Sequence, residues 1–65
     1  MPERILEAVD RLKALFENTP GIQLSVTQAS RLAGVEPSLC ESVISALEDT
    51  RFLKRTLDGR YVYYR

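Results

Sequence analysis

The chain has no histidine, no tryptophan and a single cysteine, Cys40. Without histidine it lacks the commonest general base and metal ligand, and no imidazole can activate a serine or cysteine nucleophile. One thiol can form neither an intrachain disulfide nor, without histidine, a zinc or iron–sulfur site. We therefore expect a protein that is not an enzyme, with no catalytic residues, no metal site and no cofactor.

The sequence also lacks any long apolar run. No stretch approaches the roughly 20 apolar residues that cross a bilayer. The first residues lead into a charged, periodic segment, which is not typical of a signal peptide. We expect a cytoplasmic protein with no membrane partner. A chain of 65 residues with 45% hydrophobic content can form one small core, which predicts a single domain over residues 1–65.

Net charge is zero, but the two signs are segregated along the second half of the chain. Residues 36–50 contain four acids and no base, whereas residues 51–65 contain five bases and one acid. Binding to nucleic acid depends on neutralising phosphates, so zero net charge argues weakly against strong non-specific binding. The segregation concentrates the positive charge in residues 51–65.

Residues 3–17 have the apolar spacing of an amphipathic helix. Pro2 suits a first helical turn, and Glu7 and Arg11 have the favourable i,i+4 order. Residues 18–21 contain Pro and Gly, which end the helix. The apolar positions are Ile5, Leu6, Ala8, Val9, Leu12, Leu15 and Phe16. This helix is expected to be core scaffold; the alternative is a dimer face, since the stripe is wide for so small a domain.

A short strand and a second helix are predicted next. Residues 22–24 alternate as a strand does. Ser25 and Gln28 form a capping box at the start of a helix that runs to Ala33. Its expected inner positions are Val26, Ala29, Leu32 and Ala33. Gly34 stands where a helix end favours a left-handed residue.

The third helix is predicted to begin near Pro37 and to end near Thr50. Its cap is either Glu36 or Ser38, because Ser38 and Glu41 form a second possible capping box. The expected buried stripe is Cys40, Val43, Ile44 and Leu47. The expected exposed face is Ser38, Glu41, Ser42, Ser45, Glu48 and Asp49, with Leu39 at its margin. This face is acidic and rich in serine.

Asp58-Gly59 between two β-prone runs, 52–57 and 60–65, predicts a β-hairpin with a two-residue loop. That loop pairs Leu57 with Arg60, Arg55 with Val62, and Leu53 with Tyr64. One face would then pack on the helices through Leu53, Val62 and Tyr64. The other would face solvent or a partner through Lys54, Thr56, Tyr61, Tyr63 and Arg65.

The order helix, helix, turn, helix, hairpin resembles a winged helix-turn-helix domain of small bacterial and archaeal transcriptional regulators. The similarity rests on residues 29–38 (ASRLAGVEPS) with the apolar positions that follow them, and on residues 48–55 and 58–61. It implies an α+β fold, mainly α: a three-helix winged helix-turn-helix with a C-terminal β-hairpin wing. Ser30 replaces the family's commoner alanine, which should change little. Arg51 stands where the family often has glycine, so the bend into the wing is expected to differ.

The resemblance implies a protein that binds double-stranded DNA, such as a small transcriptional regulator. The expected phosphate contacts are Lys54, Arg55 and Arg60 of the wing, reinforced by Arg31 of the second helix. The expected contacts in the major groove are Ser38, Ser42 and Ser45 of the third helix. The family usually has longer polar or basic side chains at such positions. The wing is therefore expected to provide most of the electrostatic attraction.

Two other functions are compatible with this sequence. The first is a protein-interaction module that keeps the fold without reading DNA, favoured by the acidic third helix and the tyrosine cluster of the hairpin. Its partner would be a second copy or another protein, bound through helix 1 or the wing. The second is binding of RNA or single strands, with Tyr61 and Tyr63 as stacking platforms beside Arg60 and Arg65.

Overall fold

A computed structural model describes residues 3–64 of the chain. Three helices come first: α1 (Glu3–Asn18), α2 (Val26–Ala33) and α3 (Pro37–Asp49). Two antiparallel strands follow, β1 (Leu53–Arg55) and β2 (Tyr61–Tyr63). The predicted class, α+β and mainly helical, is confirmed. The first-turn role expected of Pro2 and the outward position expected of Arg65 lie outside the described residues.

The core lies where all three helices meet the hairpin. From α1 it receives Ala8, Leu12 and Phe16, four residues apart and at most 3% exposed. The whole predicted stripe of α3 is buried: Cys40, Val43, Ile44 and Leu47. From the hairpin come Leu53 and Tyr61. The predicted buried stripe is therefore confirmed for the whole of α3, and for α1 at Ala8, Leu12 and Phe16.

Two leucines expected to face inward are exposed instead. Leu6 of α1 is 50% exposed and Leu32 of α2 is 61% exposed. The buried side of α2 is formed by Ala29 and Ser30. At 100° per residue, Leu32 is rotated by roughly 110° from the centre of that side, so it points away from the core. In this helix of eight residues, the packing of neighbouring elements, rather than the hydrophobicity of its own side chains, decides which face is buried.

The segment before α2 contributes a single residue to the sheet. Of the predicted strand 22–24, only Leu24 pairs, forming an antiparallel bridge with Tyr61. The two backbone hydrogen bonds of this bridge measure 3.0 and 2.8 Å. Strand β2 is therefore paired on both sides, by β1 and by Leu24, which anchors the hairpin to the helical part of the fold.

The predicted hairpin register is wrong by one residue. The observed pairs are Leu53 with Tyr63, Lys54 with Val62, and Arg55 with Tyr61. The loop has three residues rather than two, because the pairing of the strands ends at Thr56 and Arg60. The N–H of Thr56 donates to the carbonyl of Arg60 at 2.7 Å, and the N–H of Gly59 donates to the carbonyl of Thr56 at 3.1 Å. Gly59 has a φ of +84°, as this longer loop requires.

This register reverses the expected faces of β2. A slip of one residue moves every side chain of a strand to the opposite face of the sheet. Tyr61, expected outside, is 8% exposed and belongs to the core, whereas Tyr64, expected inside, is 42% exposed. Val62 and Tyr63 are half-buried. The stacking platform expected from Tyr61 is consequently not available on the surface.

The connection from α3 to β1 is a Schellman motif with arginine in the glycine position. The N–H of Phe52 donates to the carbonyl of Leu47 at 2.9 Å, and the N–H of Arg51 donates to that of Glu48 at 3.0 Å. Arg51 has a φ of +63°, the left-handed region that glycine adopts without strain. The bend that the family resemblance assigns to glycine is thus made by a strained arginine.

Replacing Arg51 by glycine should therefore stabilise the protein. We expect Arg51→Gly to raise the free energy of unfolding by about 1 kcal/mol, because the cost of a left-handed L-residue exceeds the added flexibility of glycine in the unfolded chain. Urea denaturation followed by circular dichroism measures this change. The control is Arg51→Ala, which removes the side chain but keeps the strain, and should lack the gain. Equal stabilisation by both variants would contradict the strain argument.

Candidate nucleic-acid interface

The position of α3 depends on two fixed ends of α2. At the first end, the N–H of Gln28 donates to Ser25 Oγ at 3.2 Å, and the N–H of Ser25 donates to Gln28 Oε1 at 3.0 Å. The predicted capping box is confirmed. At the other end, Gly34 has a φ of +68°, as predicted, and its N–H donates to the carbonyl of Ser30. Pro37 then begins α3 in its first turn.

Ser30 holds the turn between these helices, contrary to the expectation that it changes little. Its side chain is among the buried ones of α2, and its hydroxyl donates to the carbonyl of Val35 at 2.6 Å. Its own carbonyl accepts from the N–H of Val35 at 3.0 Å. An alanine here would fill similar space but would leave the carbonyl oxygen of Val35 without its hydroxyl donor. Sequence reasoning missed this hydrogen bond. The feature that indicates it is the hydroxyl of Ser30, which stands five residues before Val35, whose carbonyl lies in the turn.

Replacing Ser30 by alanine should destabilise the protein. We expect Ser30→Ala to lower the free energy of unfolding by about 1–2 kcal/mol, because the buried carbonyl of Val35 loses its hydroxyl partner. Thermal denaturation measures the loss. The matched control is Ser45→Ala on the exposed face of α3, which should stay within about 0.5 kcal/mol of the wild type. A Ser30→Ala variant as stable as the wild type would refute this role.

The predicted groove-facing serines all lie on the exposed face of α3. Two of their hydroxyl protons have internal partners: Ser38 Oγ donates to Glu36 Oε1 at 2.9 Å, and Ser42 Oγ donates to the carbonyl of Ser38 at 3.3 Å. Glu36 caps α3 without a side-chain bond to its backbone, so the alternative box from Ser38 is not formed. Ser38 and Ser42 thus offer mainly acceptor oxygens to a partner.

The three predicted bases of the hairpin are exposed, and two of them have carboxylate partners. Arg55 Nη2 lies 3.3 Å from Glu48 Oε1, and Arg60 Nε lies 3.2 Å from Asp58 Oδ2. Lys54 has no carboxylate within 4 Å among the described residues. Its ammonium group lies 5.8 Å from the ring centroid of Tyr64.

Arg55 is held from two sides. Its guanidinium carbon lies 5.5 Å from the ring centroid of Tyr61, a buried residue, while Glu48 approaches from α3. The hydroxyl of Tyr61 and the charge of Glu48 raise the pKa of Arg55 further. The guanidinium is positively charged, as arginine is throughout the ordinary pH range. Its orientation is set by Glu48 on α3 and by Tyr61 on β2.

An open depression gathers the bases near the end of α3. It has a volume of about 420 Å³ and is lined by Glu48, Asp49, Arg51, Leu53, Lys54, Arg55 and Tyr64. The predicted contacts omitted Arg51, although it belongs to the basic segment 51–65. Arg51, at the strained bend, lines the same depression as Lys54 and Arg55.

Arg31 lies apart from the hairpin set. It is exposed in the last turn of α2 and does not line the depression. Within residues 3–64 it has no ion-pair partner. Arg60 is likewise absent from the lining of the depression, since it follows the hairpin loop. The predicted phosphate contacts therefore form one cluster, Lys54 with Arg55, and two outlying positions.

The remaining ionisable groups of interest have defined environments. Thr56 donates to Asp58, and this bond, with the charge of Arg60, lowers the pKa of that carboxyl. The resulting stabilisation is present above the pKa of an unfolded aspartate and is lost as the pH falls through the lowered value. Burial raises the pKa of the Cys40 thiol, whose Sγ donates to the carbonyl of Val26 at 3.6 Å. That thiol is a packed core group.

Comparisons with protein-family models, curated proteins and solved structures find no significant match to this chain. In the described part of the chain, no helix is long and apolar enough to cross a membrane. Across residues 3–64, no three side chains of the metal-binding types lie close enough together to hold an ion.

Proposed function

We propose that this chain is a winged helix-turn-helix protein that binds double-stranded DNA, as a small transcriptional regulator does. The observation that supports the proposal best is the clustering of Arg51, Lys54 and Arg55 around one exposed depression beside α3. Three cations on one surface can neutralise neighbouring phosphates of a duplex, whereas scattered cations cannot follow its backbone. The cytoplasmic location expected from the sequence belongs to the same proposal.

The hairpin provides the affinity and α3 provides little base readout. Phosphate contacts would come from Arg51, Lys54, Arg55 and Arg60, with Arg31 as an outlying fifth. Five such contacts give a slope of log K against log salt of about −4.5. The exposed serines of α3 are short, and the hydroxyl protons of Ser38 and Ser42 have internal partners, so these serines discriminate weakly between bases. Binding should be strongly dependent on salt and weakly dependent on sequence.

Titration of a labelled random-sequence duplex with the protein at low salt tests this function directly. Fluorescence anisotropy should show binding at protein concentrations up to about 0.1 mM, where non-specific DNA binders associate. The affinity should fall steeply as salt is added. A flat titration at 0.1 mM protein and low salt would eliminate the DNA-binding proposal.

A second candidate function is binding to another protein, through the hairpin or α1. The observation that favours it is the exposure of large apolar side chains on these elements: Leu6 on α1 is 50% exposed, and Leu57 and Tyr64 in and after the hairpin are 109% and 42% exposed. Tyrosine and arginine are enriched at such interfaces. Size-exclusion chromatography with light scattering distinguishes self-association from a monomer. A monomer that binds duplex DNA supports the first function; an oligomer with no affinity for DNA supports the second.

A further inference from the structure

The ion pair between Arg55 and Glu48 connects the basic hairpin to the acidic helix. The two residues are seven positions apart and belong to β1 and α3, so the fold rather than the local sequence brings them together. Glu48 also accepts the Arg51 N–H through its backbone carbonyl. Its side chain is 31% exposed, against 58% for Arg55. The carboxylate is thus fixed at the junction where α3 ends and the hairpin begins.

We propose that Glu48 acts as an internal competitor for phosphate at Arg55, so that nucleic acid must displace its carboxylate to use this base. The inference rests on the proposed function. A carboxylate and a phosphate use the same donors of a guanidinium, and Arg55 Nη2 is already engaged at 3.3 Å. Arg55 is also held against Tyr61 at 5.5 Å, which limits its freedom to turn toward a second anion.

The neighbouring bases differ from Arg55 in this respect. Lys54 and Arg51 line the same depression, and neither forms an ion pair within residues 3–64. They can meet a phosphate without losing a carboxylate. A duplex would therefore engage these two first and displace Glu48 second, which leaves the Glu48 carboxylate beside phosphates. Glu48 consequently lowers affinity twice: it occupies Arg55 in the free protein and repels the backbone in the complex.

Asp49 provides a matched control for Glu48. It is the adjacent acid of α3, it lines the same depression, and it forms no ion pair among the described residues. Asp49→Asn and Glu48→Gln each remove one negative charge near the bases with little change of shape. The difference between them therefore isolates occupation of Arg55 from general repulsion.

The experiment measures binding of a labelled random-sequence duplex to the full chain and four variants: Glu48→Gln, Asp49→Asn, and each of these two combined with Arg55→Gln. We expect Glu48→Gln to bind about threefold tighter than Asp49→Asn, the size typical of releasing an exposed ion pair. In the Arg55→Gln background that advantage should disappear, because the competitor then has no base to occupy. The Arg55 side-chain NMR signals should shift in DNA-free Glu48→Gln and remain in place in Asp49→Asn.

The results distinguish failure of the competitor role of Glu48 from failure of the proposed DNA binding. If Glu48→Gln binds no tighter than Asp49→Asn, or keeps its advantage without Arg55, the competitor role is overturned while DNA binding stands. If the wild-type chain and all variants fail to bind the duplex, the proposed function falls and this inference falls with it. Circular dichroism confirms that each variant is folded before its affinity is compared.

Discussion

Replacing Lys54 and Arg60 together by glutamine should weaken binding to a random-sequence duplex about 60-fold at about 0.1 M salt. Each lost phosphate contact removes a factor of about eight at this salt concentration, because counterion release contributes 0.9 to the salt exponent per contact. The slope of log K against log salt should change from about −4.5 to about −2.7. Anisotropy titrations at several salt concentrations measure both quantities.

The control for this variant removes the same net charge from another surface. Arg4 and Arg11 of α1 are exposed and pair with Glu36 at 3.7 Å and with Glu7 at 2.7 Å. Replacing both by glutamine should change the affinity less than about twofold and leave the slope unaltered, since these residues are not among the proposed phosphate contacts. An equal loss in both double variants would show that net charge, rather than the hairpin, governs binding.

Truncating Phe16 should unfold much of the protein. Phe16 is a fully buried aromatic side chain on α1, and loss of such a ring costs about 3–5 kcal/mol. A domain of this length has a total stability of roughly 3–10 kcal/mol, so the loss is comparable with the whole. We expect Phe16→Ala to show a large fall in helical circular dichroism at 37 °C and a much lower urea midpoint.

Two further variants separate the cavity from a general loss of hydrophobic surface. Phe16→Leu keeps most of the buried volume and should cost less than about 1.5 kcal/mol. Leu57→Ala removes a large apolar side chain that is 109% exposed in the hairpin loop, and should stay within about 0.5 kcal/mol of the wild type. A Phe16→Ala variant with the wild-type urea midpoint would mean that the assigned core is incorrect.

The features that were predicted correctly depend on residues close together in the chain. The period of three and four indicated the buried stripe of α3, from Cys40 to Leu47, because one helix face meets the core whatever the neighbour is. The capping box at Ser25 and the left-handed Gly34 are likewise local, since each involves backbone groups within a single turn. The exposure of Ser38, Ser42 and Ser45 also followed from the buried stripe of α3.

The features that were wrong or missed depend on contacts between elements. Asp58-Gly59 indicated a hairpin, yet its loop has three residues, in the register that places Tyr61 in the core and pairs it with Leu24. Leu32 is exposed because α2 packs on its neighbours through Ala29 and Ser30, and Leu32 points away from that side. In both cases, contacts with other elements decided which side chains are buried, against the pattern of the local sequence.

The basic segment 51–65 is evident from the amino-acid sequence alone, because charge requires no knowledge of the fold. Which of its bases are available does require the fold. Arg55 meets Glu48 and Tyr61 only because α3 and β2 converge beside it, whereas Lys54, which lines the same depression, meets no carboxylate among the described residues. Whether two side chains form an ion pair depends on the orientation of each side chain as well as on the distance between them. That orientation is fixed only when the helices and strands pack together.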